Sequence, residues 1–92
     1  MNMAKIIYCD GTSKHVEPKN GKDFSLEELQ SIVGGYIEIH LLNNNLIMVI
    51  NEEGKLCDLE YNAVATNEYR RVYATTDWIV GDVLICDSNQ VK

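Results

Sequence analysis

The sequence predicts a small α+β domain, a mostly antiparallel sheet built from hairpins with one capped helix packed on a face. Three observations predict it. Two apolar runs end at turn signals, Asp10-Gly11 and Asn43-Asn44-Asn45. A helix-start signal stands between them at Ser25 to Glu28, and a long apolar stretch closes the chain from Trp78 to Cys86.

Lys5 to Cys9 is the first apolar run, and Asp10-Gly11 is the dipeptide that best suits a tight hairpin turn, so Ser13 to Val16 is expected to return as a second strand. Pro18 to Gly21 has no apolar residue and reads as a loop. Ser25-Leu-Glu-Glu28 then has the spacing of a capping box, in which hydroxyl and carboxylate each satisfy a backbone amide at the helix start. Phe24 and Leu29 are spaced as a hydrophobic staple. Leu26, Leu29, Ile32 and Val33 form one apolar face read as core, and Gly34 suits the left-handed position after the last turn.

Tyr36 to Leu42 alternates, with Ile37, Ile39 and Leu41 expected on the covered side and Glu38 and His40 on the wet side. The three asparagines turn the chain into Leu46 to Ile50, which is apolar throughout, as a central strand covered on both faces would be. Asn51 to Lys55 reads as another turn, with Gly54 as its left-handed residue. Cys57 to Thr76 fits both periods and is read as a mixed helix and strand segment. Trp78 to Cys86 is read as a strand with a bulge or close approach at Gly81, followed by a frayed polar tail over 87–92.

The length of 92 residues admits a single domain, 1–92, with one modest core. A hydrophobic share of 46% against 24% charged residues excludes a disordered chain. Fourteen acidic against eight basic residues leave a net charge of -6, which repels nucleic-acid phosphates and argues against DNA or RNA binding. Cys9, Cys57 and Cys86 are odd in number and never spaced Cys-x-x-Cys, so neither a disulfide framework nor a zinc site is expected. No apolar run approaches the roughly 18 residues of a membrane span, and the expected compartment is a reducing cytoplasm.

No nucleotide-loop, hydrolase-elbow or zinc-helix motif occurs, and His15 and His40 lack partners at metal or triad spacing. No enzyme activity, metal or cofactor is therefore expected. The adjacent Glu52 and Glu53 read as a solvated turn. One cluster joins cations to aromatic faces, Arg70 and Arg71 beside Tyr69 and Tyr73, as a nucleobase-plus-phosphate ligand would require. The commoner role of such an arginine pair is surface ion pairing. A polar set near strand ends, Glu38, Asn51, Asn62 and Asp82, is the other place where a sheet could gather a small ligand.

Val33-Gly-Gly-Tyr-Ile-Glu38, Asn51-Glu-Glu-Gly-Lys-Leu56 and Ile79-Val-Gly-Asp-Val-Leu84, with Asn62-Ala-Val-Ala-Thr66 before the last, together resemble an uncharacterised domain family of bacterial phages, plasmids and conjugative elements. The resemblance runs from about Leu26 to Ile85. That family often has an arginine where this chain has Ala63. The resemblance implies an accessory protein of a mobile element in the bacterial host cytoplasm and brings no established activity.

The functional expectation is an anti-defence protein that sequesters a small nucleotide signal, a sponge, with Arg70, Arg71, Tyr69, Tyr73, Asn51, Asn62 and Asp82 as ligand-binding residues. The alternative is an acidic interaction protein that inhibits a host defence protein directly. A homo-oligomer is expected in either case, because so small a core gains from association, with Trp78, Tyr69 and Tyr73 as anchors.

Overall fold

An unbroken apolar strand such as Leu46 to Ile50 needs cover on both faces, and the fold supplies a helix for each. The computed structural model of the protein describes residues 4–91. In chain order the elements are β1 Lys5–Ile7, β2 Ser13–His15, α1 Leu26–Val33, β3 Ile37–Leu41, β4 Leu46–Asn51, α2 Ala63–Val72 and β5 Val83–Asp87, followed by a 3₁₀ turn at Ser88–Gln90. The strands form one five-stranded antiparallel sheet in the order β2-β1-β5-β4-β3.

Period-two alternation sorts the core into two layers. Ile6, Ile47, Val49, Leu84 and Cys86 face Phe24 and the α1 residues Leu29 and Val33. Ile7, Met48, Val83 and Ile85 face the other way, onto Ala65 of α2 and Ile79. The last strand therefore lies in the middle of the sheet, with Leu84 paired to Ile6 on one side and Val49 on the other.

α1 begins at Ser25, whose hydroxyl accepts from the Glu28 amide while Glu28 accepts from the Ser25 amide, and it ends at Gly34 with φ 82°. The β3–β4 hairpin turns through Asn44 and Asn45 at φ 60° and 63°, a left-handed conformation that asparagine tolerates better than most residues.

The structure corrects the sequence reading in several places. There are two helices, one on each face, because Cys57 to Thr76 contains α2 and no named strand. The final strand starts only at Val83, since Trp78 to Asp82 runs as a connection whose one bridge, Val80 to Tyr61, lies outside the sheet. The tail is docked: the Phe24 amide donates to the Gln90 carbonyl at 2.7 Å, Gln90 is buried, and Val91 bridges to Phe24. Lys92, the end of the expected frayed segment, lies outside the described residues. Leu26 of the presumed core face is exposed.

Gly54 is not left-handed; the left-handed residue of that turn is Asp58, at φ 56°. A Cβ on Gly54 would meet Val80 Cγ2 at 2.8 Å, so this glycine permits close packing between two loops. Among the described residues no helix is long and apolar enough to cross a membrane.

Two asparagines stitch the helices to the sheet. Asn51 donates from Nδ2 to the Val33 carbonyl at the end of α1 and accepts from the Glu53 amide. Asn62 is fully buried and caps α2, accepting from the Ala65 amide at 3.0 Å, while its Nδ2 donates to the carbonyls of Ile7 and Gly81 at 3.0 and 2.9 Å. Asn62→Ala removes the cap and leaves two carbonyls without that donor, an expected loss of about 3–5 kcal/mol. Asn62→Asp keeps a good capping oxygen but turns a carboxylate toward both carbonyls. Chemical denaturation is expected to show Asn62→Asp destabilised at least as much as Asn62→Ala; a mild Asn62→Asp phenotype would show that only the cap matters.

Candidate functional site

β3 is an edge strand, and its even-numbered side chains point to the face that carries α2. That face is where polar groups collect. Glu38 and His40 lie on it two residues apart, with His40 Nε2 2.5 Å from Glu38 Oε2. α2 brings Tyr69 edge-on to the His40 ring at 5.1 Å, and Tyr73 stacks on Tyr69 at 4.8 Å. The Tyr73 hydroxyl donates to the Leu41 carbonyl at 2.6 Å, tying the end of α2 to the end of β3. His40 is thus a half-buried member of an aromatic cluster, not the solvated strand histidine that the alternation suggests. Correspondingly, Ile39 and Leu41 on the opposite side are 43% and 67% exposed, because α1 lies over β4 and β5 and reaches β3 at Ile37.

Beside this cluster, the loop after β4 and the connection before β5 close a cleft of about 140 Å³. Lys55 forms an ion pair with Asp77 and sits 4.0 Å above the Trp78 ring. Trp78 is 44% exposed at the rim. Lys55 holds the Asp77 carboxyl below the usual carboxylate range, so it is charged at neutral pH. Burial, followed by the charge of Asp77, pushes the Tyr69 hydroxyl up and keeps it neutral. Glu52 also lines the cleft, whose charged residues are therefore Glu38, Glu52 and Asp77 against Lys55.

The structure brings together only part of the set picked from sequence. Tyr69 lines the cleft, and Tyr73 buttresses it from behind. Arg70 spends its guanidinium on the carbonyls of Asp77 and Thr76, both at 2.9 Å, and so holds the connection carrying Asp77 and Trp78. Arg71 points to solvent, 3.6 Å from Glu68. Asn51 touches the cleft, but its amide is committed to α1 and the following turn. Asn62 is 0% exposed and offers a ligand nothing.

Asp82 is elsewhere. It accepts from the Cys9 amide at 3.0 Å and lines shallow depressions beside β1. His40, Lys55, Asp77 and Trp78 are the cleft residues that sequence reasoning missed as a group. They come from three segments with no shared spacing, and Trp78 was singled out only as an anchor for association.

Among the described residues no group of histidine, cysteine and carboxylate side chains could hold a metal. Two of the three thiols are held in the protonated form. Burial, then the hydrogen bond and charge of Asp82, push Cys9 up to about 11, and burial pushes Cys86 up to about 11. At pH 8 about one in a thousand of each is thiolate. Cys57 is exposed. A disulfide reagent at pH 8 is expected to label Cys57 quickly and the other two slowly, with Asp82→Asn accelerating Cys9. Fast labelling of Cys9 in the unaltered protein would contradict this electrostatic picture.

No curated protein and no solved structure matches the chain. The family described as Domain of unknown function (DUF3846) matches residues 4–91, nearly the whole of it. A five-stranded antiparallel sheet between two helices, with a small acid-lined cleft at one edge, is thus the form taken here by a member of the DUF3846 family, to which this chain belongs.

Proposed function

We propose that this chain is a non-catalytic binding protein that receives a basic side chain of a partner protein in the cleft between β3 and α2. The observation that carries the reading is the cleft itself: about 140 Å³, with three carboxylates against one lysine. Pockets for drug-sized ligands run to about 300–1,000 Å³, so the volume suits one inserted side chain better than a nucleotide. A lysine or arginine entering there would meet Glu38 and Asp77 and could lie against the Trp78 ring in the place that Lys55 now takes. The overall charge of -6 would steer a basic target toward it. In the mobile-element setting suggested by the blocks at 33–38, 51–56 and 79–84, the target is a host defence protein in the bacterial cytoplasm, inhibited by occupation.

Sequestration of a small nucleotide signal is the second reading, favoured by one observation. The half-exposed Trp78 ring with an ammonium 4.0 Å from its centre offers a stacking surface beside a cation. Against it stand the surrounding carboxylates and the engagement of Arg70 with backbone carbonyls. Both readings are tested by one titration, because the single tryptophan stands at the rim and reports occupancy. An arginine-rich peptide is expected to change its fluorescence saturably, to weaken as salt rises, and to lose several-fold in affinity with Asp77→Asn. Saturation by cyclic nucleotides with no response to the peptide would overturn the first reading in favour of the second.

A further inference from the structure

We infer that the outer edge of β3 is the seat of a two-fold dimer, in which Ile37–Leu41 pairs antiparallel with the same strand of a second copy, centred on Ile39. Among the described residues no strand pairs with that edge. The hydrogen-bond phase of β3 is set by its ends: the Glu52 amide donates to the Tyr36 carbonyl and the Leu42 amide to the Leu46 carbonyl. In an antiparallel ladder this turns the N–H and C=O of Glu38 and His40 toward β4 and those of Ile37, Ile39 and Leu41 outward. The outward carbonyl of Leu41 is the one capped by the Tyr73 hydroxyl, and it retains a second lone pair. Ile39 and Leu41 are also exposed, so the strand presents apolar side chains together with unpaired backbone groups.

The charge pattern selects the occupant and the register. Only residues whose backbone groups face outward can exchange hydrogen bonds across the edge, which restricts the central alignments to those centred on Glu38, Ile39 or His40. Centring on Glu38 opposes two carboxylates, and centring on His40 opposes two imidazoles. Centring on Ile39 sets Glu38 opposite His40 of the second copy twice over, Ile37 opposite its Leu41, and Ile39 opposite its Ile39. Each Glu38 already holds the imidazole of its own His40, so that alignment gathers two acids and two imidazoles in alternation on one face and sets aliphatic against aliphatic on the other. A strand that complements its own reverse fits a second copy of this chain. The pairing would fuse two sheets into one of ten strands and bring the two clefts side by side, since Glu38 and His40 line each of them.

The test is independent of what the cleft binds. Light scattering of the full chain at high micromolar concentration is expected to give twice the single-chain mass of 10.4 kDa. Glu38→Lys, which strips both acid–imidazole pairs, is expected to raise the dissociation constant about tenfold, and adding His40→Glu in the same chain is expected to recover it. Ile39→Lys, at an exposed position, is expected to give a monomer with an unchanged circular dichroism spectrum. A wild-type mass of 10.4 kDa would overturn the proposal and leave the edge to a strand of another protein. A dimer indifferent to Glu38→Lys and Ile39→Lys would overturn it too, by placing the interface elsewhere.

Discussion

The Asn62 side chain joins parts of the molecule that no single element could hold together. Its amide nitrogen reaches the carbonyl that ends β1 and the carbonyl just before β5, while its oxygen starts α2. β5 must slide between β1 and β4, strands made far earlier in the chain, and nothing local tells it where to stop. A buried amide satisfied only when Ile7, Gly81 and Ala65 converge sets that stop. The alternatives leave polar groups unpaired in a dry interior, at about 1–3 kcal/mol each. No buried side-chain nitrogen or oxygen among the described residues lacks a partner, so this network is complete.

The cleft follows from that placement. With α2 anchored at Asn62, its far end must reach β3, and Tyr69 and Tyr73 close on His40 there. The connection between α2 and β5 then returns on the α2 side of the sheet, where Ile79 is buried, and Arg70 secures it through two carbonyls. Asp77 and Trp78 are delivered opposite Lys55 as a consequence. Gly54 and Gly81 let the two loops pack, since a Cβ on either would come within 2.8 Å of a neighbouring side chain. The site thus joins loop residues, Lys55, Asp77 and Trp78, to Glu38, His40 and Tyr69 on the strand and helix of the scaffold.

What the sequence disclosed was the class and the most strongly patterned strand. The apolar run over Leu46–Ile50 implies a doubly covered strand, and two helices on opposite faces of an antiparallel sheet meet that demand. α2 was legible only as part of a mixed helix and strand segment, because its cap, Asn62, has no glutamate three residues on, and because its fully buried residues, Ala65 and Thr66, are small. The alternation of β3 told two faces apart without telling which was covered, and α1 proved too short to shield Ile39 and Leu41. The cleft was illegible for a different reason. Glu38, Lys55, Tyr69 and Asp77 are neighbours only in three dimensions, and no local spacing encodes a contact made by a strand, a helix and two loops.

The central claim, that one buried amide locks the second helix to the central strand, is tested most directly by native-state hydrogen exchange. The Ala65 amide bonds to the Asn62 side chain and the Thr66 amide to its carbonyl, in the first turn of α2, where helices ordinarily fray. The account predicts that both exchange with the same free energy and denaturant dependence as Leu84 and Ile85 of β5, through global unfolding alone. Exchange of Ala65 and Thr66 through a separate opening of lower energy, with β5 still protected, would contradict it.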